Sequence, residues 1–133
     1  MTENQAEQNK ALVLGAFEAL FNHKDFTKAE ALWDEDYIQH SSLIAPGREG
    51  LFALVRSGPA TMHYENNLIM CDGDTLILHG RFSGTGKPDH IVVDVVRLEA
   101  GRLKEHWDVW QPEATKAESL SGLPMFGDRF PDA

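Results

Sequence analysis

The sequence is short of cysteine, of positive charge and of long apolar runs, and each shortage closes off a class of function. A single cysteine, Cys71, leaves no partner for an internal disulfide and no basis for a multi-cysteine metal site. Its surroundings alternate as in a strand, so Cys71 is expected to be a small buried apolar group, not a reactive thiol. Lysine and arginine number 12 against 21 aspartate and glutamate, for a formal charge of -9. That balance argues against a nucleic-acid or anionic-membrane partner. No stretch approaches the roughly 18 consecutive apolar residues of a membrane-spanning helix. The polar segment Met1 to Glu7 has no apolar core of the kind a secretory signal carries. A soluble, cytoplasmic protein is the expectation. A nucleophile elbow, a redox motif and a nucleotide loop are also missing. The glycines of Ser83-Gly84-Thr85-Gly86-Lys87-Pro88 lack the Walker spacing and read as a connection between strands.

What is present suits one domain, residues 1–133, with 112–133 as a tail rich in Pro, Gly and Ser. The apolar Leu123-Pro124-Met125-Phe126 of that tail is suited to dock on the body. Between Gln5 and Asn22, Leu12, Val13, Ala16, Phe17, Leu20 and Phe21 recur every three or four residues, as on an amphipathic helix. Thr27-Lys28-Ala29-Glu30 reads as a capping box opening a short helix through Leu32 and Trp33. Tyr37 to His40 alternates as a short strand. A third helix covers Arg48 to Arg56, and Ser57-Gly58-Pro59 stops it. Past Pro59 the period becomes that of strands. His63 to Cys71 and Thr75 to Phe82 form a hairpin around Asp72-Gly73, which pairs Cys71 with Asp74, Leu68 with Ile77 and Asn66 with His79. Asp89 to Leu98 and Arg102 to Gln111 form another. Helices followed by hairpins predict an α+β fold whose antiparallel sheet curls round the helices and leaves a cavity at one end.

The chemistry concentrates in Glu105-His106-Trp107-Asp108-Val109-Trp110-Gln111. In a strand, His106, Asp108 and Trp110 share one face, and Glu105, Trp107, Val109 and Gln111 share the other. With Glu99-Ala100-Gly101 as a three-residue loop, Leu98 faces Arg102, Asp94 faces His106 and Val92 faces Asp108. Directly opposed side chains lie about 5 Å apart at Cβ, so Asp94 is placed to orient His106. A two-residue loop would set Asp94 against Trp107 and dissolve the cluster. A carboxylate beside an imidazole, flanked by indoles and partly desolvated, suits removal of a proton next to a carbonyl. The same residues also suit a buried hydrogen-bonded pair that only fixes register. His40 and His79 stand on apolar or β-branched strands, either lining a pocket mouth or filling structural roles. Arg97 is expected to pair diagonally with Glu105. His40, His79, His106 and Asp108 are legitimate metal ligands, but His-x-Asp on a strand has no diagnostic metal spacing and no metal is expected.

Tyr37-Ile38-Gln39-His40, the hairpin from Val93 to Pro112 and Met125-Phe126 resemble, in order along nearly the whole chain, the SnoaL-like group of the nuclear-transport-factor-2-like superfamily. The resemblance implies a cone: a curved antiparallel sheet on three N-terminal helices, a pocket inside, and homodimers through the sheet. It implies polyketide-cyclase-like chemistry, closing a ring by intramolecular aldol condensation with a carboxylate as acid/base and without metal or organic cofactor. Carried over residue by residue, the family's pocket histidine and aspartate fall on His106 and Asp108, with Asp94 and His40 beside them. His79, in Leu78-His79-Gly80-Arg81-Phe82, resembles a recurring histidine of the group. Two positions depart from the pattern: the family's isoleucine- or phenylalanine-bearing strand reads Val95-Val96, and Trp110 narrows any pocket it enters.

The expected function is a cofactor-free enzyme acting on a small carbonyl compound, by aldol cyclisation or enolate-type isomerisation. Asp108 would be the general base, His106 the donor to the developing oxyanion, and Asp94 the group holding the His106 tautomer. His40 and His79 would position the substrate, and Trp107 or Trp110 would form an apolar wall. The same fold also carries ligand-binding or dimeric interaction modules, and hydrolases that activate water with an aspartate.

Overall fold

In the computed structural model, which describes residues 1–131, helix α1 runs from Glu3 to Phe17. The last two residues of the tail expected at 112–133 lie outside the described residues. The Thr2 hydroxyl caps α1 by accepting the Gln5 amide hydrogen at 3.1 Å. The helix then widens into a π-helical turn, Glu18–Asn22. That turn delivers Asn22 to the neighbouring strand, where its side chain accepts from Tyr64 N at 2.7 Å and donates to Tyr64 O at 3.0 Å.

Helix α2, Phe26–Leu32, starts two residues earlier than the capping box suggests. Asp25 takes the cap, accepting from Lys28 N at 3.1 Å, and leaves Thr27 inside the first turn. Trp33 caps the C-terminus of this helix, its backbone N–H donating to Ala29 O, and opens strand β1, Trp33–Gln39. Helix α3 covers Gly47–Ser57. Four strands follow: β2 His63–Asp72, β3 Thr75–Ser83, β4 His90–Glu99 and β5 Arg102–Pro112.

The sheet order is β1-β5-β4-β3-β2. The sheet is mixed, not wholly antiparallel, because β1 runs parallel to β5 and pairs Gln39 with His106. A parallel neighbour needs a long crossover, and everything from α3 to β4 supplies it.

Both hairpin registers differ from expectation, for a reason rooted in the turns. In the β2–β3 hairpin the central turn residues are Gly73 and Asp74, with Asp72 paired to Thr75. Positive φ falls on Gly73 alone, which suits a II′ turn. Leu68 therefore faces His79 and Met70 faces Ile77. In the β4–β5 hairpin the loop is Ala100-Gly101, both at positive φ (52° and 75°), as a I′ turn requires. Glu99 pairs with Arg102 and Leu98 with Leu103. A bulge then inserts Lys104, so Arg97 faces Glu105, Val96 faces His106, Asp94 faces Asp108 and Val95 faces Trp107. The two-residue loop alone would have turned Asp94 toward Trp107. The bulge adds the residue that restores the parity.

The concave face carries Leu76, Leu78, Phe82, Val92, Val96 and Leu103, packed on Val13, Phe17 and Leu20 of α1 and on Leu51, Phe52 and Val55 of α3. Gly80 lets the Tyr64 ring lie against the sheet, because a Cβ there would sit 2.4 Å from the ring. The convex face leaves Leu68, Met70, Ile77, Val93, Trp107 and Val109 exposed. The tail is held by Arg81, which forms two 2.7 Å hydrogen bonds to buried Glu113 and lies 4.3 Å from the Phe126 ring centre. Leu123 remains exposed, while Met125 Sδ accepts from Ala114 N at 3.3 Å. Among the described residues no helix is long and apolar enough to cross a membrane.

Candidate functional site

Alternation along β4 and β5 points Asp94, His106, Asp108 and Trp110 into the cone, where they form the polar end of a cavity of about 40 Å³. Its remaining wall is apolar, with Phe17, Phe21, Leu51 and Val55 from the helices. Asp94 and His106 are buried, at 4% and 5% exposure. His106 Nε2 meets Asp94 Oδ1 at 2.6 Å, and Asp108 Oδ2 lies 3.9 Å from the same nitrogen. Asp94 and His106 thus approach each other as the sequence suggested, but diagonally across the hairpin. The residue directly opposite Asp94 is Asp108.

Burial pushes the Asp94 carboxyl above its usual range, against the hydrogen bond and charge of His106, which pull it down. Among the described residues its Oδ2 is buried without a hydrogen-bond partner. Asp108 Oδ2 accepts the Trp110 indole N–H at 2.7 Å, and among the described residues its Oδ1 accepts no hydrogen bond. Tyr37 stacks beside the imidazole at 6.3 Å and 20°, and burial drives its hydroxyl well above the ordinary phenol range. Trp33 Nε1 and Gln39 Nε2 are also buried without a well-aligned acceptor, although both side chains lie within reach of the Tyr37 hydroxyl.

A second cavity, of about 310 Å³, opens on the outer side of Trp110. It shares Ile44, Leu54, Met62 and Trp110 with the inner one, and adds Leu43 and Pro59 with Lys87 and His90. Trp110 stacks on Phe82 at 5.3 Å and 14°. It forms a wall common to the two spaces.

Three residues expected to contact a substrate stand elsewhere. Trp107 is on the convex face, stacked flat on His40 at 4.7 Å and 3°. His40 also bonds Glu105 Oε2 at 2.8 Å. Hydrogen bonds from His40 and then Arg97 hold the Glu105 carboxyl below its usual range. Arg97 is directly opposite Glu105, not diagonal, with Nε donating to Oε1 at 2.9 Å. His79 is convex too: Asn67 donates to its Nδ1 at 3.0 Å, and its ring faces Phe126 at 6.3 Å. Trp107 and His79 have parity opposite to the cavity-lining residues of their strands, and His40, just past β1, is held outside by Trp107 and Glu105, so none reaches the cavity. Cys71 is half-buried, its thiol near Gly73 O at 3.4 Å.

The sequence reading left out Gln39, whose side chain touches His106 from β1. Tyr37 and Gln39 alternate inward, a signal that was legible; the parallel pairing that puts them beside His106 was not. For a cation, the donor atoms of Asp94, His106 and Asp108 all lie within 4.8 Å of one another. Nε2 and Asp94 Oδ1 already share a hydrogen bond, however, and Gln39 holds Nδ1.

The model of the SnoaL-like domain family matches residues 13–106, well over half of the chain. No functionally curated protein matches the sequence. Among solved structures, a provisionally named ketosteroid isomerase from Kribbella flavida DSM 17836 is similar with a TM-score of 0.73 at 19% identity, over 94% of this chain and 96% of that one. Wild-type IdmH from Streptomyces antibioticus, provisionally named a polyketide cyclase, is similar at 0.65 and 20%, over 86% and 97%. AclR from Streptomyces galilaeus, provisionally named a hydroxylase, is similar at 0.65 and 20%, over 80% of each chain. At these identities the likeness establishes a shared fold, and the three names describe three different chemistries.

Proposed function

The chain belongs to the SnoaL-like domain family, and from that premise we propose a cofactor-free enzyme that forms an enolate from a small carbonyl compound. The observation that carries this reading is Asp108. Its side chain is 3% exposed at the end of an apolar cavity, with one oxygen bonded to Trp110 and the other free of protein hydrogen bonds. In that position it takes the proton from the carbon next to the carbonyl, leaving an enolate. The His106 Nε2–H, which bonds Asp94 Oδ1, is shared with the oxygen that gains the charge. In isomerisation Asp108 returns its proton to another carbon. In aldol ring closure the enolate carbon attacks a second carbonyl, and the resulting alkoxide takes a proton from the same cluster.

The inner cavity of about 40 Å³ has room for the reacting carbonyl and little more. The body of the substrate would occupy the outer cavity of about 310 Å³, with Trp110 at the junction. Ile44, Leu54 and Met62 therefore take the binding role first given to His40, His79 and Trp107.

We also propose a homodimer through the convex face of the sheet, where Met70 is 59% and Val109 72% exposed. Nucleic acid and membrane have no part in this reading, given the charge of -9.

A second reading, a non-catalytic ligand-binding module, draws support from the small inner cavity and from an imidazole bonded on both nitrogens. A screen of small β-keto compounds for proton exchange in deuterated water separates the two. The enzyme exchanges the proton and Asp108→Asn does not; a binding module binds the compounds with no exchange above buffer.

A further inference from the structure

Gln39 has no part in the scheme above, yet its side-chain oxygen lies 2.7 Å from His106 Nδ1. The same oxygen accepts the Ser41 backbone N–H at 3.0 Å. A backbone amide can only donate, so the Gln39 atom facing it has to be the oxygen. Turned over, the amide would set its own NH₂ against the Ser41 N–H. The oxygen can only accept, so His106 carries a proton on Nδ1. That leaves Nε2 against Asp94 Oδ1 at 2.6 Å, and a hydrogen bond there needs one more proton. Drawn on the nitrogen or on the oxygen, this proton belongs to the pair.

We propose that Gln39 is a positioning residue: held by the Ser41 amide, it fixes the His106 tautomer and makes Asp94 and His106 a one-proton reservoir beside Asp108. The inference deepens the acid/base reading above and rests on that reading only for its effect on turnover. The groups facing His106 are few. Asp108 is on its own strand, Asp94 on β4, and Tyr37 and Gln39 on β1. The helices contribute only apolar side chains to the cavity wall. Among the described residues no other side chain is hydrogen-bonded to the imidazole. Without the Gln39 oxygen, an Nδ1–H would have no acceptor in a dry site. The neutral imidazole would then move its proton to Nε2 and donate to an ionised Asp94. The pair would hold one proton fewer, so the Nε2–H would be committed to an ionised Asp94 and no second proton would remain to neutralise the developing oxyanion.

The test is side-chain ¹⁵N NMR of the full chain, with the His106 signals assigned by their loss in His106→Asn. In the wild type Nδ1 is protonated. In Gln39→Leu the proton is found on Nε2 and Nδ1 is bare. In Gln39→Glu, whose carboxylate accepts from both Ser41 and His106, Nδ1 is protonated again. In the exchange assay Gln39→Leu lowers kcat by about 10²-fold with KM unchanged, and Gln39→Glu restores it. A wild-type spectrum with bare Nδ1, or a wild-type tautomer retained in Gln39→Leu, overturns the proposal. The wild-type spectrum alone decides if Gln39→Leu does not fold. It decides equally if the protein exchanges no substrate, so this inference and the enzymatic reading fail separately.

Discussion

Asp94 keeps a carboxyl group out of water with one oxygen on His106 and the other on nothing. Burial raises its proton affinity above the ordinary value of 3.8. Such a group binds its proton more tightly in the native than in the unfolded chain, so its contribution to stability is present at low pH. That contribution falls as pH rises from the ordinary aspartate range through the folded value. Asp94→Asn removes this dependence. Urea midpoints for the wild type relative to Asp94→Asn are therefore predicted to fall as pH rises through that window; a difference constant with pH contradicts the assignment. At this scale the sequence was informative about one strand. Alternation along Glu105 to Gln111 correctly grouped His106, Asp108 and Trp110, and already separated Trp107 from them. His40 and His79 went astray because a histidine among β-branched residues does not reveal which face it serves. That depends on the elements packed against each face.

Among the elements, the β4–β5 hairpin decides whether a site exists. Gly101 marks the turn, but Ala100 sits at φ 52° without any sequence sign of it, so the loop length was not legible. The bulge at Lys104 has no residue signature either, and the two hidden features together restore the parity the site needs. Ala100→Gly relieves the left-handed backbone and is predicted to raise stability by about 0.5–1 kcal/mol, read from the urea midpoint. A lower midpoint would show that the turn is not strained at that position. The tail is pinned by a different device. Arg81 meets Glu113 in a two-pronged ion pair, with 14% and 1% of the side chains exposed. Glu113→Gln removes the two-pronged partner and leaves Arg81 with the partly exposed Glu65 carboxylate at 3.6 Å; it is predicted to cost roughly 1.5–3 kcal/mol, with faster proteolysis after Pro112. An unchanged melting temperature and cleavage rate would mean that contacts other than this ion pair hold the tail.

At the scale of the whole molecule, helices followed by hairpins were enough to indicate an α+β fold with a curled sheet, and the resemblance supplied the cone. What stayed hidden was the seat of β1. A strand that follows two helices carries no local mark of its eventual neighbour, and β1 pairs with the strand farthest from it in the sequence. That contact brings Gln39 to His106, so the least legible pairing completes the cluster. On the convex face, where the homodimer is proposed, Val109 is 72% exposed. Val109→Lys is predicted to convert a dimer to a monomer in sedimentation equilibrium without changing the far-ultraviolet circular dichroism. A monomeric wild type would contradict the proposed interface. The central claim is the role of Asp108 at the end of the cavity, and it meets its most direct test in deuterium incorporation. A β-keto compound that the wild type exchanges is incubated in deuterated water with wild type and with Asp108→Asn. The account predicts that Asp108→Asn keeps its fold and loses the enzyme-catalysed exchange by at least about 10²-fold; exchange at the wild-type rate would contradict it.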